Sequence, residues 1–267
     1  MSDGASTGPV LVERGGPGGA VAGVTLARPE AMNALSRAMV AGLRAAVADL
    51  RADAAVRVLV ITGAEGKAFC AGADLKERRT MSLDDTRAYL DALGGLCDDV
   101  AAFPRPVIAS LNGIAFGGGL ELALACDLRV AAEGIEVGLL ETAVGIIPGA
   151  GGTQRLSRLC GVAAAKELIL TARRIPIARA FALGIVNEVV PRDQLRATVD
   201  RWIADVVACA PVAVTQAKRA IDGGVGLPWR EAAVLERTCY EVALTTEDRN
   251  EGLDAFAAKR KPVFTGK

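Results

Sequence analysis

The chain has 267 residues, 51% of them apolar and 23% charged, enough to bury a sizeable core as one domain with an appendage or as two compact units. Its 31 Lys and Arg residues balance 31 Asp and Glu, so no basic field exists to neutralise a polyphosphate, and nucleic acid is a poor partner for it. Histidine is absent. That removes Ser-His-Asp and Cys-His nucleophilic sites and His-containing zinc sets, and it leaves acid–base work near neutral pH to a tuned carboxylate, Lys, Tyr or Cys.

Residues 1–19 are small, polar and rich in Gly and Pro, and they read as a flexible leader. They carry no basic start, apolar signal region or Arg-rich amphipathic helix, and no stretch of about twenty apolar residues is free of charge. The expectation is a cytoplasmic protein that does not engage a membrane. Residues 20–26 (AVAGVTL) and 56–62 (VRVLVIT) have the β-branched character of buried strands. Between them Leu35, Met39, Leu43, Val47 and Leu50 recur at helical spacing, with Ser36 a candidate N-cap. Strand, helix and strand over this length imply a parallel α/β unit.

The alternation continues with a helix over 84–103 ended by Pro104 and Pro106, a strand at 107–111, a short helix at 118–126 and a strand at 127–132. From Thr153 helical patterns dominate: 153–159, 162–171, 177–183, 194–208, 211–222, and one from Pro228 to about Phe256. The organisation expected is a leader over 1–19, an α/β core over 20–208 and a helical region over 209–267. Six cysteines lie far apart with no paired spacing, which fits small buried residues of a reducing compartment rather than a disulfide frame.

Three segments can carry chemistry. In KAFCAGADLK (67–76) a strand runs out into small residues, whose exposed amides can donate to an oxyanion. In NGIAFGGGLELALACD (112–127) three glycines open an apolar helix, presenting free N–H groups and a positive dipole end. Glu121 falls in its first turn among Leu and Ala, where a carboxylate without a task is costly to bury. In VGLLETAVGIIPGAGGTQRL (137–156) Glu141 stands alone, with no further charge before Arg155. Two carboxylates in apolar settings can hold one water between them at separated pKa values, although spacing does not say whether they meet. The glycine runs do not form a dinucleotide fingerprint, Gly66-Lys67 lacks the rest of a P-loop, no carboxylate cluster has EF-hand spacing, and no metal is required.

At these segments the chain resembles the enoyl-CoA hydratase/isomerase (crotonase) family, and the likeness runs from LARPEAMNAL (26–35) to DRNEGLDAFAAKR (248–260). The resemblance implies an α/β fold, a spiral of ββα units, with a C-terminal helical region that packs subunits into homotrimers or hexamers. It places an oxyanion hole on the N–H groups of Ala73 and Gly118, and the catalytic pair at Glu121 and Glu141. It implies acyl-CoA contacts from Arg28, Ala31, Ala71, Ala73, Asp74, Leu75, Lys76, Gly117 and Gly118, with Phe256 and Lys259 reaching a neighbouring subunit's CoA. No cofactor is implied, since CoA is part of the substrate. The implied activity is a hydro-lyase adding water across the C2=C3 bond of a 2-enoyl-CoA thioester. A methylglutaconyl-CoA hydratase, the subgroup most similar in its motifs, and an enoyl-CoA isomerase are the alternatives. One member of that subgroup binds RNA through a lysine-rich helix; the corresponding residues 36–51 hold three arginines and no lysine, so no nucleic-acid partner is expected.

Overall fold

The computed structural model describes residues 8–64 and 66–267. β1 (Val10–Gly15) pairs antiparallel with β2 (Val21–Leu26), Val10 opposite Leu26 and Gly15 opposite Val21. This corrects the leader expected over 1–19, of which residues 1–7 lie outside the described residues. Val10, Leu11 and Val12 supply a strand, and the glycines that suggested looseness make its turn, Gly16 and Gly18 taking φ of 70° and 61°.

α1 (Arg37–Ala52) starts where the Ser36 hydroxyl accepts the Met39 N–H at 3.2 Å, and it buries Met39, Val40, Leu43, Val47 and Leu50. β3 (Val58–Gly63) then runs parallel to β2. β4 (Ala68–Cys70) enters a second sheet and leads to α2 (Leu75–Arg78) and α3 (Leu83–Ala101), the latter opened by a reciprocal Ser82–Asp85 capping box. β5 (Val107–Leu111) and β6 (Ile114–Phe116) repeat the pattern before α4 (Gly118–Ala125). β7 (Leu128–Ala132) and β8 (Glu136–Gly138) repeat it again, followed by a 3-10 turn (Glu141–Val144) and α5 (Gly152–Leu170). Gly161, at φ 80° and ψ 158°, breaks α5 into the two helices expected from the periodicity. β9 (Ile175–Pro176), α6 (Ile177–Ala182), β10 (Glu188–Val190) and α7 (Leu195–Val207) follow.

The six-stranded sheet has the order β1-β2-β3-β5-β7-β10 and the four-stranded sheet the order β4-β6-β8-β9. Each successive pair, β3 with β4, β5 with β6 and β7 with β8, places one strand in either sheet before the chain leaves for a helix. That is the ββα spiral. Parallel central strands covered on both faces need continuous apolar runs, and VLVITG and VIASL are of that kind, with Leu59, Ile61, Ile108 and Leu111 among the largest fully buried side chains.

Contacts divide the chain into two compact units. One comprises Val107–Asp200 with the chain up to Phe103; the other comprises Pro104–Pro106 and Arg201–Lys267. The division falls inside α7, and the composition change near Cys209 marks a helix start, with Pro211 at the first position of α8 (Pro211–Gly224). In the second unit α8 packs on α9 (Trp229–Leu244), and α10 (Glu247–Ala257) follows. The single helix expected from Pro228 to about Phe256 is thus two. The Thr246 hydroxyl accepts the Arg249 N–H and starts the second. The buried Asp248 carboxylate accepts the Thr265 and Gly266 N–H groups at 2.7 and 2.8 Å, and Glu251 takes Arg260 and the Val263 N–H. These contacts clasp the C-terminal strand of chain onto α10.

Candidate active site

The helix α4 reads GGLELALA, apolar on every side, and all eight of its residues are buried. Glu121 is therefore a buried carboxylate, 2% exposed. Its Oε1 accepts the N–H groups of Ala150 and Gly152, both at 2.8 Å. Gly152 opens α5, so the carboxylate lies at the amino ends of two helices, where unpaired N–H groups and the dipole favour negative charge. Residue 152 has no room for a side chain, since a Cβ there would stand 2.8 Å from Glu121 Oε1 and 3.0 Å from Leu139 Cδ1. Burial raises the Glu121 carboxyl above its ordinary range, and the Gly152 and Ala150 N–H bonds and the Arg155 charge oppose that rise. At the other end of α4 the buried Arg129 guanidinium donates to the carbonyls of Ala123, Cys126 and Ile185 at 3.2, 2.6 and 2.7 Å, so that a cation caps the helix.

Glu141 begins the 3-10 turn that follows β8. Pairing of β8 with β6 sets Gly138 against Phe116, and the Gly138 carbonyl accepts the Gly117 N–H at 2.9 Å. Gly117, with φ 50° and ψ −127°, occupies backbone space that L side chains rarely adopt, and a Cβ on it would stand 3.0 Å from Glu141 Oε1. The Glu141 carboxyl therefore packs on the residue that caps the helix carrying Glu121. Its Oε2 is buried without a hydrogen-bond partner. Burial, opposed by the residue's own N–H and reinforced by the Glu121 charge, pushes the Glu141 carboxyl up to about 7. Near neutral pH Glu141 is thus held between its acid and anionic forms, while the N–H bonds to Glu121 favour the anion there.

Two amides complete the cluster. Leu35 bridges to Ala73 as a parallel pair, donating its N–H to the Gly72 carbonyl at 2.8 Å and accepting the Asp74 N–H at 3.2 Å. The Tyr89 hydroxyl donates to the same Leu35 carbonyl at 2.7 Å. This register turns the Ala73 N–H away from Leu35, and no protein acceptor takes it among the described residues. The Gly118 N–H, first of α4, has no acceptor within the helix. A Cβ on Gly118 would lie 3.8 Å from the Ala73 nitrogen, and one on Gly72 3.4 Å from the Gly118 nitrogen. Two unspent donors therefore stand side by side.

Arg28 pairs with Asp74 at 3.2 Å, and Asp74 accepts the N–H groups of Lys76 and Glu77 at the start of α2. Burial opposes, and these N–H bonds and Arg28 outweigh it in holding the Asp74 carboxyl below its ordinary range. Ala31 ends a 3-10 turn next to Arg28, Ala71 donates its N–H to the Met32 carbonyl, and Leu75 is exposed at the start of α2. Phe256 and Lys259 belong to the second unit, Phe256 on α10 and 86% exposed. Sequence reasoning passed over Arg129, the Ala150 and Gly152 amides, and Asn33, a buried side chain that accepts the Arg28 N–H and donates to the Ala68 carbonyl. It also passed over Arg155, which donates to the Ala150 carbonyl and to Asp98, both at 2.8 Å.

Two carboxyls of unequal acidity beside two free amides suit proton transfer next to a carbonyl that gains negative charge. The fold and this geometry give a candidate acid–base site beside a pair of amides able to hold an oxyanion. Residues 17–267 match the family described as Enoyl-CoA hydratase/isomerase. "Enoyl-CoA hydratase domain-containing protein 2, mitochondrial" of Mus musculus is 47% identical over 256 residues, 94% of this chain and 86% of its own length. "Methylglutaconyl-CoA hydratase, mitochondrial" of Homo sapiens is 42% identical over 238 residues, 88% of this chain and 70% of its own. The crystal structure of an enoyl-CoA hydratase from Bacillus anthracis superposes with a TM-score of 0.94 at 43% identity, over 97% of this chain and 100% of that one. The chain belongs to the enoyl-CoA hydratase/isomerase family and is an enzyme of the hydro-lyase class. Both mammalian relatives are named as mitochondrial, so the expected cytoplasmic location draws no support from them. No helix among the described residues is long and apolar enough to cross a membrane.

Proposed function

We propose that this enzyme hydrates 2-enoyl-CoA thioesters to 3-hydroxyacyl-CoA, with Glu121 as base and Glu141 as acid. The observation that carries the reading is the Glu141 carboxyl, pushed up to about 7 and packed on Gly117, the cap of the helix whose Glu121 carboxylate takes two N–H donors. The thioester oxygen would take the Ala73 and Gly118 N–H groups, which stabilise the enolate as it forms. Glu121 removes a proton from water as its oxygen bonds to C3, and the π electrons move onto the thioester as the enolate. Glu141 then protonates C2 and the carbonyl is restored. Each carboxyl ends in the opposite protonation state and the two exchange their proton before the next turnover. Arg28, Ala31 and residues 71–76 would line the CoA path.

The test is loss of the conjugated thioester absorbance on mixing the purified enzyme with crotonyl-CoA, and in parallel with methylglutaconyl-CoA. Loss that disappears in Glu141→Gln supports hydration. CoA binding without hydration of either, accompanied by solvent exchange at C2 and C4, would replace it by double-bond isomerisation. We further propose self-association into trimers or hexamers; the exposed Trp229, Phe256 and Val263, at 83%, 86% and 72%, support a covered surface on the second unit. A monomeric mass by light scattering would refute it.

A further inference from the structure

Arg155 stands at the junction of the site's two supports and belongs to neither carboxyl. One end of its guanidinium, Nη1, donates to the Ala150 carbonyl at 2.8 Å, and Nη2 pairs with Asp98 of α3 at 2.8 Å. The guanidinium also lies against Gly151, where a Cβ would collide with Nη1. The Ala150 carbonyl sits in the chain between the two N–H groups, of Ala150 and Gly152, that hold Glu121 Oε1. Rotation about the Ala150 Cα–C bond, which turns that carbonyl, carries the following chain with it and would swing the Gly152 donor away from Glu121. Gly151, at φ 94°, offers little resistance of its own to such a rotation. The pair with Asp98 is the weaker end, since the Asp98 side chain is 78% exposed and the Arg155 side chain only 21%.

We propose that Arg155 is a positioning residue for the hydration reaction, pinning the Ala150–Gly151 peptide so that both N–H groups stay on Glu121 Oε1 and Oε2 is left for water. The proposal rests on the reading of Glu121 as base. It differs from a plain α3–α5 tie, which would act through Asp98 and leave Glu121 alone. The charged and titratable groups facing Glu121 are Arg155 from α5, Glu141 from the 3-10 turn and Cys97 from α3. Of these, Arg155 alone favours the anion.

The experiment measures Glu121 ionisation in the substrate-free enzyme by infrared titration with carbon-13 glutamate, its band assigned by disappearance in Glu121→Gln. Steady-state kinetics are run on the same samples. In Arg155→Met the Glu121 titration moves to higher pH by about half a unit or more. Its kcat falls about tenfold while KM stays nearly constant, and the acid limb of the pH profile moves up with the titration. Arg155→Lys, which keeps the cation, restores the titration toward wild type. Asp98→Asn leaves titration and kcat unchanged. A Glu121 titration and kcat unmoved in Arg155→Met, with only the melting temperature lowered, would overturn the proposal, as would an equal effect from Asp98→Asn. Should Arg155→Met fail to fold, Arg155→Gln makes the same measurement with the same two outcomes. If Glu121→Gln keeps its activity, the reading of Glu121 as base fails, whereas the infrared titration still reports whether Arg155 governs that carboxylate.

Discussion

Glu141→Gln exchanges a carboxyl that the fold prefers protonated for a side chain of the same shape that never ionises. The carboxyl has an ordinary value of 4.5 and is pushed up to about 7 in the folded chain, chiefly by burial. Below the unfolded value both states carry the proton and the fold incurs no charge penalty. As pH rises through about 7 the folded state must accept a half-buried anion, and the stability present in acid is lost. At about 1.4 kcal/mol per pH unit, the interval corresponds to about 3 kcal/mol, and partial solvent screening reduces this to about 2 kcal/mol. Glutamine avoids the penalty, so the variant should match wild type near pH 4 and exceed it above about pH 8, by about 4–8 °C in Tm for a unit of this size. Calorimetric melts of both proteins across that range, with hydration assayed on the same samples, make the comparison. A Tm difference that is flat with pH, or a glutamine variant that is less stable in alkali, would refute a carboxyl held near neutrality. The variant is also expected to lose hydration, exchanging catalysis for stability at one position.

Glu121→Gln should lower kcat about a thousandfold with KM little changed, measured on crotonyl-CoA beside a circular dichroism spectrum that reports the fold; retention of rate would remove Glu121 from the chemistry. Gly152→Ala places a methyl group 2.8 Å from Glu121 Oε1 and must displace that carboxylate, so kcat should drop about a hundredfold in a folded protein. Wild-type turnover there would mean that the Ala150–Gly152 turn does not set the geometry of the base. Asp248→Ala removes the acceptor of the Thr265 and Gly266 N–H groups at a cost of about 1–3 kcal/mol; amide exchange at those two residues should accelerate, and unchanged protection would show that the clasp holds without it.

Some of this architecture is written in side-chain type and some is not. The strands β3 and β5 announce themselves because a parallel strand buried on both faces must be a continuous apolar run, and β2, buried at alternate residues, does so through its β-branched residues. Ser36 marks the start of α1 for the equally local reason that its hydroxyl meets an N–H three residues on. The second sheet carries no such mark. Ala68–Cys70, Ile114–Phe116 and Glu136–Gly138 are three residues each, too short for a period, and they are strands only because each lies beside another distant in the chain. β1 was hidden by its own turn, whose glycines look like a tether until the partner strand is known.

The site divides along the same line. Glu121 and Glu141 stand out in the sequence because a charge in an apolar run is costly and therefore informative. Their adjacency does not stand out, because it depends on the β6–β8 pairing that brings Gly138 to Gly117 and lays Glu141 on the cap of α4. Arg155 was legible only as the end of an uncharged stretch. Its partner at the site is a backbone carbonyl, and a carbonyl belongs to every residue type, so no pattern of side chains could point to that contact. The same holds for the Ala150 and Gly152 amides, whereas those of Ala73 and Gly118 fall in the glycine-rich segments whose exposed N–H groups the sequence already marks. A family of this kind can therefore vary the side chains around its site while keeping the donors. The positions least free to change should be those where a Cβ would enter the donor framework, at Gly117 and Gly152, together with the cation that steadies the second of them.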